Sequence, residues 1–105
     1  MTPTTIPITV TPEAVARVAE LGMQAELDQM LEHTRQTVPG PRSIEVQEEL
    51  PYDTGDETTI VIWVARDDPH LEKDTTDREW GRWLVRTFSP DVCRYFVMIS
   101  FYGNP

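Results

Sequence analysis

The sequence predicts an α+β fold: a small sheet of about three main strands in the order α-α-β-β-α-β, with helices packed on one face. Three observations carry this. Residues 12–36 hold apolar residues at helical spacing and end at Val38-Pro39-Gly40-Pro41, which stops a helix. Three later runs, 42–50, 58–66 and 95–102, are rich in β-branched and aromatic residues. Between the last two lies an amphipathic stretch with two tryptophans on one side. At 105 residues the chain, 1–105, is expected to be one domain, long enough for a single core without disulfides.

Thr11-Pro12-Glu13 opens the first helix. Thr can cap the free amides, Pro suits the first helical position, and Glu complements the positive helix end. Ala14, Val15, Val18, Leu21 and Ala25 share one side, whereas Met23, Leu27, Met30, Leu31 and Thr34 share a rotated one. A break at Gly22, with Gly in the left-handed conformation, accounts for the change of phase. Helices are therefore expected over 12–21 and 23–36.

Ile44, Val46 and Leu50 alternate with Ser43, Glu45, Gln47 and Glu49, the pattern of a half-buried strand, with Glu48 out of place on the apolar side. Thr59 to Ala65 is apolar at both parities, and the two strands should pair as an antiparallel hairpin. Thr76-x-x-Glu79 resembles a capping box opening a helix over 77–88, whose apolar face is Trp80, Trp83, Leu84 and Phe88. Ser89-Pro90-Asp91 can start one more turn. The closing run Cys93–Tyr102 is apolar on both sides, so it is expected at the centre of the core. Its crossover from the preceding strand predicts a parallel pair.

The net charge of −9 argues against nucleic acid or an anionic membrane as partner, because both need clustered cations. It favours solubility and, if anything, a basic partner. The first five residues carry no positive charge and no apolar core, and no run approaches the length of a membrane span. The expected location is cytoplasmic. One cysteine, Cys93, forms no intramolecular disulfide, and beside an apolar run it reads as a small buried hydrophobe. No phosphate-binding glycine loop or nucleophile elbow is present, no catalytic residue is assigned and no cofactor is expected.

Four constellations remain. Arg78, Arg82 and Arg86 lie on one helical side, either a docking strip for phosphate or an acidic partner, or a solvated face tied to acids such as Asp74. Asp67, Asp68, His70, Glu72 and Asp74 put five potential metal ligands in eight residues, without the spacing of a calcium loop or a helical zinc site. An acidic lead into a helix N-terminus explains them as well. His33 sits near a helix C-terminus, where the dipole favours a cation. Trp63 shares the parity of Val61 and Ala65, opposite Ile60, Ile62 and Val64. One of these faces meets the helices, and the other is a core surface or an interface.

Ile8-Thr9-Val10-Thr11-Pro12-Glu13-Ala14 resembles the opening of A-type iron–sulfur carrier proteins. The resemblance implies cysteine ligands further along the chain, and a single cysteine does not supply them. The leading expectation is a protein–protein interaction module that forms a homodimer, with Val61 and Trp63 at the contact and room for another protein partner. The alternatives are a small-ligand binder or enzyme with a pocket near residues 66–74 and the arginine helix, using Asp67, Asp68 and His70, or a regulatory module docking through Arg78, Arg82 and Arg86.

Overall fold

The computed structural model describes residues 6–38, 40–49, 59–67 and 75–102. Within them the chain runs β1 (Ile8–Val10), α1 (Pro12–Leu21), α2 (Gln24–Thr37), β2 (Pro41–Glu49), β3 (Thr59–Arg66), α3 (Thr76–Thr87), α4 (Pro90–Cys93) and β4 (Phe96–Tyr102). The four strands form one mixed sheet in the order β1-β2-β3-β4. β2 and β3 are the expected antiparallel hairpin, with Val46 opposite Ile62. β4 lies parallel to β3, with Ile62 beside Met98, as a crossover through α3 requires.

The helix boundaries follow the local chemistry. Thr11 caps α1, its hydroxyl accepting the Ala14 N–H at 3.2 Å. Gly22 closes it in the left-handed region at φ 70°, and its N–H and that of Met23 bond back to α1 carbonyls. That one residue redirects the chain, which is why α1 and α2 present differently phased apolar stripes. Pro90 starts α4.

Ala14, Val18, Leu27, Met30, Trp80 and Leu84 from the helices pack on Ile44, Val46, Ile60, Ile62, Val64, Phe96 and Met98 from one face of the sheet. Each large aliphatic side chain buried here contributes roughly 1.5–3 kcal/mol. Trp80 donates its indole N–H to the Thr34 hydroxyl at 2.9 Å, and that hydroxyl donates to the Met30 carbonyl at 2.6 Å. This chain satisfies two polar groups inside the core and pins α3 to α2. Asp77 accepts from the backbone N–H of Ser100 at 3.1 Å and also from its hydroxyl, tying the first turn of α3 to β4.

Four expectations need correction. The closing strand is an edge strand, not the centre of the core: β3 is flanked on both sides and β4 on one, among the described residues. Apolar composition at both parities does not separate an interior strand from an edge strand with an open face. A fourth strand, β1, was not anticipated, because three residues carry too little alternation to register. It pairs in parallel with β2, Ile8 beside Ile44. The start of α3 is shifted by one: Thr76 is already helical, and the hydroxyl of the preceding Thr75 bonds the Glu79 side chain at 2.8 Å, without a backbone cap. Trp83 is half-buried, unlike the buried Trp80 and Leu84 of the same helix.

Candidate functional site

Two surfaces stand out. The first is the sheet face opposite the helices. Its residues are Ser43, Glu45, Gln47 and Glu49 on β2, Val61, Trp63 and Ala65 on β3, and Val97, Ile99 and Phe101 on β4. Among the described residues no helix packs on it. The face is divided: β2 supplies acids and an amide, and β3 and β4 supply apolar side chains. Trp63 bridges the halves. Its indole N–H donates to Glu49 at 2.8 Å, and its ring meets Phe101 edge-on at 6.2 Å. Val97 is 38% exposed and Phe101 43%. Trp63 and Ile99 are half-buried. Val61, an expected contact residue, is only 5% exposed, so it has almost no surface to offer a partner.

The second surface is a cleft between the C-terminal half of α2 and α3. The pairs Thr34–Trp80 and His33–Trp83 bring the two helices together there. Aromatic side chains span the space between them. The His33 imidazole stacks on the Trp83 indole at 3.7 Å with 3° between planes. Trp80 and Phe88 flank that indole at 5.7 and 5.6 Å. The cleft has a volume of about 570 Å³ and is lined by His33, Thr37, Glu79, Trp83, Arg82 and Arg86, among others. Burial lowers the pKa of His33 from its ordinary 6.5. That direction is opposite to the one the helix dipole by itself would give.

The arginines differ sharply in their engagements. Arg17 pairs with Glu20 at 2.5 Å and lies over Tyr95, Arg35 pairs with Glu32, Arg42 pairs with Asp67 at 3.3 Å, and Arg94 lies over Tyr95. Arg66 is buried at the end of β3 and is also engaged. Among the described residues Arg78, Arg82 and Arg86 make no ion pair, hydrogen bond or ring contact. All three are exposed on α3, Arg82 and Arg86 where they line the cleft, and beside them Val85 is 69% exposed.

Of the expected metal ligands, Asp67 is exposed and bonded to Arg42. Asp68, His70, Glu72 and Asp74 lie outside the described residues. Among the described residues there is no cluster of three or more metal-ligating side chains, and no helix is long and apolar enough to cross a membrane. Cys93 is half-buried, its sulfur 3.4 Å from the Leu84 carbonyl oxygen and 3.6 Å from that of Phe88. As a weak donor it joins α4 to the end of α3. Sequence reasoning missed the His33–Trp83 stack, because fifty residues separate the two rings and neither position is unusual by itself.

Among the described residues, the chain forms a small α+β fold with helices on one face of its sheet and none on the other. No protein-family model matches the chain, and comparison with curated proteins and with solved structures found no significant similarity.

Proposed function

We propose that this protein is a protein–protein interaction module that associates with a second copy of itself through the helix-free face of its sheet. The supporting observation is the apolar row Trp63, Val97, Ile99 and Phe101, which spans two neighbouring strands with no helix over it among the described residues. Aromatic and aliphatic side chains gathered in this way mark association surfaces, and tryptophan is enriched among residues that dominate binding energy. A two-fold axis over β3 and β4 sets the apolar half of one copy on that of the other. The acidic β2 halves then lie at the rim, where water screens their repulsion. The net charge of −9 limits the affinity without preventing association, since apolar burial contributes about 25 cal/mol per Å².

The test is the mass in solution by light scattering. A dimer has twice the 12.1 kDa of the chain. Phe101→Ser and Trp63→Ser should each shift the population toward monomer. A monomeric mass at micromolar concentration removes the proposal, and a dimer indifferent to both substitutions moves the contact elsewhere.

A further inference from the structure

We propose that the cleft between α2 and α3 binds a small planar aromatic anion, its ring against the Trp83–His33 stack and its carboxylate or phosphate held by Arg82 and Arg86. Three observations support this site, which is separate from the sheet face considered above.

The first is the contrast among the arginines. In an acidic chain, cations have abundant partners, and five of the eight arginines are engaged. Among the described residues the three on α3 are not, although Glu79 lies on the same helix within reach of i,i+3 pairing with Arg82. Two of the three line the cleft. A guanidinium presents a planar fork matched to carboxylate and phosphate oxygens, and Arg82 and Arg86 lie one turn apart on the same side of α3.

The second is the aromatic wall. The stacked imidazole and indole both line the cleft, and stacking on aromatic side chains contributes without demanding a particular ring. The indole N–H groups of Trp63 and Trp80 are satisfied by Glu49 and Thr34. That of Trp83 has no partner among the described residues, so an unused donor accompanies the wall.

The third is size and polarity. At about 570 Å³ the cleft falls within the 300–1,000 Å³ typical of small-molecule sites. Its ends differ. Glu79 lies near the start of α3 and Arg86 in its last turn, about 10 Å apart at 1.5 Å per residue. An anionic group is thus directed to the Arg82–Arg86 end, and Glu79 disfavours a second anion at the other.

The experiment is a two-dimensional ¹H–¹⁵N NMR titration of the full chain, read at the three tryptophan indole N–H signals. The probes are adenosine monophosphate and indole-3-acetate, with adenosine and inorganic phosphate as half-ligands. The expected result is a saturable shift of the Trp83 signal with at least one of the two complete probes, while Trp63 and Trp80 move much less. Saturation by the nucleotide alone assigns a phosphate ligand, and saturation by the indole acid alone assigns a carboxylate. Arg82→Gln and Arg86→Gln, both at exposed positions, should leave the spectrum dispersed and weaken binding by roughly tenfold each. Adenosine and phosphate alone should bind at least as weakly as those variants bind the complete probe. The proposal is overturned if neither complete probe gives a saturable Trp83 shift. It is equally overturned if the double Arg variant binds undiminished or phosphate alone matches the nucleotide.

Discussion

The two faces of the sheet are built from the same strands, yet they have opposite fates. On β3, Ile60, Ile62 and Val64 turn to the helices and are wholly buried. Their immediate neighbours Trp63 and Ala65 turn away and keep part of their surface. On β4, Phe96 and Met98 are buried, whereas Val97 and Phe101 are exposed. Side chains on a strand alternate between faces, so an apolar run at both parities serves two masters. The helix side supplies cohesion of the single chain. The other side carries no helix among the described residues, and it is the side through which association is proposed. Parity sets which face a hydrophobic residue of the strand joins, but not by itself its exposure, since Val61 is buried on the same side as Trp63.

Substitutions test that division. The largest effect is expected on the helix side: Trp80→Ala should cost about 3–5 kcal/mol in denaturant unfolding, since it opens a cavity and leaves Thr34 without its donor. Trp83→Ala, on the same helix but half-buried, should cost about 1–2 kcal/mol, because it forfeits stacking more than core volume. Equal losses at both positions would break the distinction drawn between them. Thr34→Val keeps the shape of the core but removes the acceptor for the Trp80 N–H and should cost about 1–3 kcal/mol. An unchanged midpoint would show that the hydrogen-bond chain through Thr34 does not matter to stability.

On the open face, Phe101→Ser should change the unfolding free energy of the monomer by less than about 1 kcal/mol, because its main aromatic contact is one edge-on partner. Its principal effect should be on the mass measured by light scattering. A loss of stability comparable to that of Trp80→Ala would make this face part of the core and erase the comparison.

The smallest effect concerns His33. Its folded pKa lies below 6.5 because burial disfavours the charged ring. Above the unfolded pKa both states hold neutral imidazole, and the residue contributes no pH dependence. As pH falls through 6.5 the unfolded chain takes up the proton first, so stability decreases until the folded pKa is passed. The difference in melting temperature between the wild type and His33→Phe should therefore change in favour of the variant between pH 7.5 and 5.5. A difference that is flat across that range, or that grows in favour of the wild type, would contradict the burial of this ring.

Much of the fold was legible. Thr11, Pro12 and Gly22 place the ends of the first helix through local chemistry alone, since a cap, a fixed φ and a left-handed residue act within a few positions. The alternation Ile44, Val46 against Glu45, Gln47 identified β2 and its inner face. The site was less legible. The arginine side of α3 followed from spacing, but the aromatic half of the cleft did not. The ring of His33 meets that of Trp83 only when α2 and α3 are laid side by side. Asp67 looked like a ligand beside other acids, but its side chain is bonded to Arg42 at the start of the neighbouring strand.

By itself, the sequence determined what depends on near neighbours: where helices begin and end, which strands pair as a hairpin, which side of α3 is apolar, and the acidic character that argues against nucleic acid. The tertiary structure decided what depends on distant partners. Among the described residues it set β4 at the edge, added β1 through pairing with β2, buried Val61 but not Trp63, and chose among chemically identical arginines those left unpaired. Local periodicity records that a side chain prefers to leave water, a preference set by its own chemistry. It does not record which surface receives it, because that is settled by the packing of elements far apart in the chain.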